Sequence, residues 1–373
     1  MAMKGRSAMA PSARASQNRL SLPKIHPATC LARLPRAFFI RSSRVPSRYT
    51  TRNLGMGEPM VELPDILAAR DRVAGRVHRT PTLSARSLGE AAGVRLHLKA
   101  ELLQKTGSFK VRGVLNKLLT MDPADRSRGL VSLSAGNHAA ALAWGASTVG
   151  SKATIVMPAT AVQSKVDATR GYGGEVVLTE GNLLEVCLEL QRQRGLVLVH
   201  PFDDPAVIAG QGTVGLELLE DLPELDVVLV PVGGGGLLSG IAAAIKGRRP
   251  DTWVVGVEPT GADIVYRSLQ AGKPLRLDTR PATVADGLAA PFAGEHTQAQ
   301  IQRDVDEVVL VEDDAILRAL KLIVERAKLV PEPAGAAAFA ALLAGAFKPD
   351  PGAVTACVVS GGNVDPAVLK RIL

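Results

Sequence analysis

The sequence predicts an α/β architecture of two interwoven lobes, each built on a mostly parallel sheet flanked by helices. Three observations carry that expectation. From Gly129 onward short β-branched runs alternate with helical stretches, the runs are continuously apolar, and no Gly/Pro/Ser-rich seam divides the chain. Continuous apolar strands separated by single helices mark parallel sheets covered on both faces. In such sheets ligands gather beyond the C-terminal ends of the strands.

The expected strands are Leu130–Leu133, Ala153–Met157, Glu175–Leu178, Leu196–Val199, Val227–Val232, Trp253–Val257 and Val354–Val359, each too apolar to be half-exposed. An alternating run, Val94–Lys99, precedes them. Helices begin and end where backbone chemistry expects it. Pro64 stands at a first turn before Asp65–Val77, Pro205 opens a segment to Leu219, and Asp313–Lys328 is stopped by Pro331 and Pro333.

At 373 residues and 46% hydrophobic, the chain is long enough for about two domains and a sizeable core. Its net charge of +8 is localised: residues 1–57 hold eleven Lys or Arg and no Asp or Glu. The remainder is slightly acidic and only 3% of the chain is aromatic, so neither a basic stripe nor stacking rings support nucleic-acid binding. The basic, Ser-rich segment 1–57 has the composition of an organelle transit peptide. Alternatively it is an upstream extension of the reading frame, since Met56 and Met60 stand before the first helical pattern. On either reading it lies outside the fold, and the location expected is cytoplasmic, or an organelle if the segment is a transit peptide. No stretch reaches the roughly 18 apolar residues of a membrane span.

Cys30, Cys187 and Cys357 are odd in number and far apart, which fits a reducing compartment better than a disulfide framework or a zinc site. The six histidines show no ligand spacing, and no metal site is expected.

Four loops carry chemistry. In the first, the strand ending at Val232 runs into Gly233-Gly234-Gly235-Gly236-Leu237-Leu238-Ser239-Gly240 and then a helix. Four consecutive glycines let the backbone approach an anion closely, and the helix adds its positive end. A plain tight turn would need one or two. A dinucleotide is the rival ligand, because Glu258 closes the next strand about twenty residues on. The Gly-x-Gly-x-x-Gly spacing fails at Leu238 and Ser239, and no Gly-Lys-Ser/Thr follows.

The second loop, Thr106-Gly107-Ser108-Phe109-Lys110-Val111-Arg112-Gly113, opens a helix to Leu119. A lysine there is most often a solvated charge, but one kept neutral by partial burial and a helix N-terminus can form a Schiff base. Phe109 suits either the face of an aromatic cofactor or the core. In the third loop, Ser134-Ala135-Gly136-Asn137-His138, side chains and free amides at a helix start suit a carboxylate, although N-capping alone would explain them. The fourth, Ser360-Gly361-Gly362-Asn363-Val364-Asp365, follows the last strand.

From about Leu63 to the C-terminus these loops resemble the serine/threonine dehydratase branch of the fold-type II (tryptophan synthase β-like) pyridoxal-phosphate enzymes. The likeness extends through Glu101–Lys110, His200-Pro201-Phe202-Asp203-Asp204-Pro205, Ala285-Asp286-Gly287-Leu288 and Pro331-Glu332-Pro333-Ala334-Gly335. It implies pyridoxal 5'-phosphate as cofactor, with 58–128 and 206–373 forming the large cofactor-binding lobe and 129–205 the small one. It implies that Lys110 is the catalytic lysine carrying the cofactor, and that Phe109 stacks on the ring opposite the Gly287 strand. Asn137 would bond the ring hydroxyl, Gly233, Gly234, Gly235, Gly236 and Leu237 would hold the phosphate, and Ser360 would face the ring nitrogen. Ser134, Gly136, Asn137 and His138 would take the substrate carboxylate. The substrate implied is a small 3-hydroxy-amino acid, L-threonine, L-serine or hydroxyaspartate, and the assembly a homo-oligomer such as a dimer.

A serine at the ring nitrogen cannot keep it protonated as a carboxylate would, so charge at Cα is less delocalised and departure of the β-substituent is favoured over transamination. The expected reaction is therefore α,β-elimination to a 2-keto acid and ammonia, a lyase activity. Val111, where synthases of the family carry Asp, disfavours a synthase. Ala135, where racemases carry a second Ser, disfavours a racemase, as does Phe202 where racemases tend to have Asn. The racemases' divalent-cation site resembles Glu258, the carbonyl of Ala262 and an acid where Ile264 stands, with Asp263 adjacent. Outside the family, a nicotinamide-dependent oxidoreductase and a catalytically dead ligand-binding homologue are the alternatives.

Overall fold

The computed structural model describes residues 60–372, so the expectation for residues 1–57 lies outside the described residues. Among the described residues ten strands form two sheets: β1 (Thr82–Ser84), β2 (Arg95–Lys99), β3 (Leu130–Leu133), β4 (Ala153–Pro158), β5 (Glu175–Thr179), β6 (Val197–Leu198), β7 (Val227–Pro231), β8 (Trp253–Pro259), β9 (Glu307–Val311) and β10 (Val354–Val358). The larger sheet has the order β1-β2-β10-β7-β8-β9 and the smaller β5-β4-β3-β6. Every pairing is parallel except β1 with β2.

The apolar runs of the large sheet follow from its position between two helical layers. On β7, Val227 and Leu229 face a core shared with the helices Pro333–Leu343 and Asp313–Leu322. Val228 and Val230 face a second core shared with Pro205–Asp221 and Gly236–Arg248. Successive side chains point to opposite faces of a strand, so covering both faces demands apolar residues at every position. The small sheet obeys this rule at β3 and β4 but not at its edge. There β5 is partly exposed and Leu178 faces solvent, against the expectation that each strand is too apolar for exposure.

Several boundaries differ from the sequence reading. The first helix is Leu63–Val73, starting two residues early because Glu62 N–H is accepted by the Asp65 carboxylate at 2.9 Å, and ending before Gly75 at φ +70°. Asp313–Leu322 passes into a π-turn, Ile323–Ala327, and ends at Lys328 in the left-handed region. Pro333 does not merely stop a helix; it opens the next one, Pro333–Leu343, at a first-turn position where its missing N–H costs nothing. No helix among the described residues is long and apolar enough to cross a membrane.

Candidate active site

The C-terminal ends of β7 and β10, neighbours in the large sheet, build one wall of a cleft of about 510 Å³, and the C-terminal ends of β3 and β4 build the other. All the site residues expected from the sequence line it: Phe109, Lys110, Ser134, Gly136, Asn137, His138, Gly233–Gly236, Leu237, Gly287 and Ser360.

The lysine loop is pinned to the end of β10. Ser108 bridges to Gly361, and Phe109 N–H is accepted by the Ser360 carbonyl at 3.1 Å. This places Lys110 at the start of the helix Lys110–Thr120, with its Nζ donating to the Pro201 carbonyl at 2.8 Å and lying 5.2 Å from the centre of the Phe109 ring. Burial pulls its ammonium pKa down to about 8, opposed by the negative charge of Glu332. A substantial fraction of neutral amine near physiological pH follows, as a nucleophile or proton acceptor requires.

On the same wall, after β7, the glycine loop ends in the helix Gly236–Arg248, whose N-cap, Gly235, has φ +90°. A Cβ on Gly234 would collide with the Phe202 ring, so that position admits no side chain. The first-turn N–H groups of a helix have no carbonyl ahead of them, and with their dipole they suit a phosphate. Phe202 therefore supports the loop from behind, and its ring meets His200 edge-on at 4.7 Å and Phe292 at 5.4 Å. Sequence reasoning gave Phe202 no such place. Its neighbours tie the same turn down. Asp203 accepts from Glu295 and Thr297 N–H, both at 3.0 Å, while Asp204 caps Pro205–Asp221 and pairs with Lys117 at 2.6 Å.

The third loop opens the helix Asn137–Thr148, whose N-cap is Gly136 and has no side-chain cap. N-capping by Ser134 or Asn137 does not occur. The Ser134 hydroxyl accepts from Gly136 N–H at 3.2 Å, and Asn137 Nδ2 donates to Glu332 Oε1 at 2.6 Å. The His138 imidazole is buried, with Nε2 3.0 Å from the Ser132 hydroxyl and 3.4 Å from the Val199 carbonyl. Burial, with Lys110 second, pushes its pKa down to about 3, so the ring is neutral. What His138 can offer a carboxylate is a first-turn N–H, not a charged side chain.

Two further groups had no role in the sequence reading. Glu332, just before Pro333, is buried and lines the cleft. Lys165 of the small-sheet lobe pairs with Asp286, beside Gly287, across the cleft. Both depend on partners well over a hundred residues away, beyond the reach of local pattern.

Glu258, the candidate ribose or cation ligand, is fully buried, and its carboxylate accepts from Val265 and Tyr266 N–H at 3.0 and 2.7 Å. Asp263 pairs with Arg267 at 2.8 Å. Both acids are thus committed elsewhere, and among the described residues no three His, Cys, Asp or Glu side chains converge as a metal site.

A half-buried amine facing a glycine-built phosphate cradle, with a flat glycine wall at Gly287, defines a class: enzymes that anchor a phosphorylated aldehyde cofactor on a lysine. The comparisons agree. The family model described as pyridoxal-phosphate dependent enzyme matches residues 73–361, and the chain belongs to that family. It is 45% identical over 319 residues to an L-threonine ammonia-lyase of Thermotoga maritima, covering 84% of this chain and 78% of that protein. Among solved structures it is similar to a threonine deaminase from T.th., at 47% identity and a TM-score of 0.77 over 82% of this chain and 99% of that one. It is also similar to maize serine racemase, at 40% identity and a TM-score of 0.80 over 84% and 97%.

Proposed function

We propose that the protein catalyses the α,β-elimination of water from a 3-hydroxy-amino acid, L-threonine or L-serine, giving a 2-keto acid and ammonia. The observation that carries this reading is the asymmetry of the cleft. It presents one amine whose pKa burial lowers to about 8, Lys110, while Ala135, also lining it, has no proton to give.

When bound, pyridoxal phosphate supplies the electron sink that makes the substrate Cα–H acidic. Lys110 Nζ, its pKa lowered by burial, would accept the Cα proton. The Cβ–O bond would break as the proton taken by Lys110 Nζ passes to the leaving oxygen, which departs as water. The enamine set free tautomerises to an imine, and water hydrolyses it to keto acid and ammonia. In this reading the N–H groups of the Gly233–Leu237 segment would hold the phosphate, and Phe109 and Gly287 would flank the ring. Ser360 would face the ring nitrogen, and Asn137 would donate to the ring oxygen. Ser134 and the first turn of Asn137–Thr148, Gly136 through His138, bind the substrate carboxylate.

The lobes take the division 58–128 with 206–373 and 129–205, and the enzyme works as a cytoplasmic homo-oligomer. Buried, free Cys187 and Cys357 support a reducing location. Similarity to serine racemases favours isomerisation as a second reading, which Ala135 opposes. The test is keto-acid and ammonia release from L-threonine, L-serine and 3-hydroxyaspartate by the holoenzyme and by Lys110→Ala. Equimolar keto acid and ammonia from the unmodified enzyme, abolished in Lys110→Ala, is expected. A holoenzyme inert towards all three substrates would sink the reading.

A further inference from the structure

A chain of hydrogen bonds joins three of the four site loops to the Pro331–Gly335 segment. Asn137 Nδ2 donates to Glu332 Oε1 at 2.6 Å, and Asn363 Nδ2 donates both to Asn137 Oδ1 at 2.7 Å and to the Thr106 carbonyl at 2.8 Å. Its Thr106 end fixes its polarity. A main-chain carbonyl can only accept, so Asn363 must turn its amino group towards Thr106 and Asn137. Asn137 then meets that amino group with its oxygen and turns its own amino group towards Glu332. The Asn137 oxygen is thereby occupied, and the second Nδ2 hydrogen is that amide's remaining donor. Thr106 itself is held at φ +57°, an uncommon backbone conformation for threonine.

Glu332 is enclosed. A Cβ on Gly361 would collide with its Oε1 and one on Gly287 would stand 3.7 Å away, and its own N–H is accepted by the Gly361 carbonyl at 3.0 Å. The charged groups acting on it are Asp286 beside Gly287, Lys165 on the helix Gln163–Gly171, and Lys110. Asp286 and Lys165 are paired with each other, which leaves Lys110 as the nearby cation not neutralised by a carboxylate contact of its own.

We propose that Glu332 and Asn363 are positioning residues of the cofactor site. Holding the Asn137 amide from opposite ends, they make it present N–H, and not C=O, to the cofactor's ring oxygen, while the Glu332 carboxylate is the counter-charge of Lys110. Burial raises the Glu332 carboxyl to about 7 and lowers the Lys110 amine to about 8.

The proposal rests on Lys110 and Asn137 being the cofactor's partners, and its measurements use no substrate, so it fails separately from the elimination reading. Borohydride capture of the cofactor on a Lys110 peptide checks that footing. In the apoprotein, acetylation of Lys110 by acetic anhydride is followed by mass spectrometry across pH. Glu332→Gln, which keeps an acceptor for Asn137 and removes the charge, is expected to lower the Lys110 midpoint by about one unit, a tenfold gain in neutral amine at a given pH. Asn363→Ala is expected to leave that midpoint in place and to weaken pyridoxal-phosphate binding about tenfold, roughly 1.4 kcal/mol. An unshifted midpoint in folded Glu332→Gln overturns the counter-charge. Unchanged cofactor affinity in Asn363→Ala overturns the orientation of Asn137. If Glu332→Gln does not fold, Glu332→Asp takes its place: it retains the charge, so the midpoint must hold while cofactor binding weakens, and a lowered midpoint overturns the proposal.

Discussion

Arg112 and Glu217 meet through two parallel hydrogen bonds, Nη1 to Oε1 at 2.6 Å and Nη2 to Oε2 at 2.9 Å, with the guanidinium wholly buried. Its other edge holds Glu101, by Nε at 2.8 Å and Nη2 at 2.8 Å, and Lys99 Nζ reaches Glu217 at 2.6 Å. Arg112 lies two residues beyond Lys110 on the same helix, so this cluster ties the lysine-bearing helix to β2 and to Pro205–Asp221.

Replacing Arg112 with Met would leave buried Glu101 without its cation and Glu217 with Lys99 alone. Breaking one side of a buried pair costs about 3–5 kcal/mol, whereas the intact pair contributes far less over an apolar substitute. Urea unfolding of apo Arg112→Met is expected to show a loss in that range. Arg112→Lys, with one ammonium in place of a fork, is expected to recover only part of it. A loss below about 1 kcal/mol would mean that the cluster relaxes or takes in water.

Glu258 makes stability depend on pH. Burial pushes its carboxyl up to about 8, despite two main-chain N–H donors that oppose the shift. A carboxyl whose folded pKa is raised contributes stability fully present below its unfolded value, about 4.3, and lost as pH rises towards the folded value. From pH 5 to pH 8 the wild type is therefore expected to lose a few kcal/mol relative to Glu258→Gln. Gln, unable to accept from both N–H groups, starts less stable at pH 5. Denaturant titrations of both proteins at pH 5, 6.5 and 8 check the trend, and a constant difference would refute it.

Ala135→Ser is expected to add racemisation. Inverting Cα requires a proton delivered from the side opposite Lys110 by a donor within about 3 Å of its target. Ala135 lines the cleft without one, and in the proposed reading the Ser134 hydroxyl is committed to the substrate carboxylate. The serine variant is expected to form D-serine from L-serine and to keep dehydration within about tenfold, or 1.4 kcal/mol of barrier. Chiral analysis of unreacted L-serine decides: D-serine accumulating as fast as pyruvate in the unmodified enzyme would point to another donor.

The glycine loop and the Ser-Phe-Lys turn were legible because their chemistry is written in adjacent residues. Gly233–Gly236 can serve few purposes, and a strand before and a helix after fix its direction. The sheets were legible for the same reason wherever strands are buried on both faces. What escaped reading was either short or remote. β1 has three residues, too few for a pattern, while β9 carries a β-branched run that was there to be read. Pro333–Leu343 is apolar on all sides because it is buried on all sides, so it lacks the amphipathic period that announces a helix. That the His138 ring is turned inward was not legible, because sequence does not show that Ser132 and Val199 meet it. Glu332 resembled any surface acid, since its burial depends on Gly361 and Gly287, which fold over it from distant parts of the chain.

The place of β10 has a consequence for the order in which the protein can be made. The four strands of the small sheet are all present once residue 198 has been synthesised, and its pairings span short separations. The large sheet is different: β10, Val354–Val358, inserts between β2 and β7, so the β1–β2 pair and the β7-β8-β9 strands are not joined until β10 has left the ribosome. Chain emerges at about 5–20 residues per second, so β2 waits on the order of ten seconds or more for β10. During that wait Leu96 and Leu98, which end enclosed, have only the three-residue β1 beside them. The newborn protein is thus a finished small sheet attached to two separate pieces of the large one, and this interval is when a chaperone matters most to its yield.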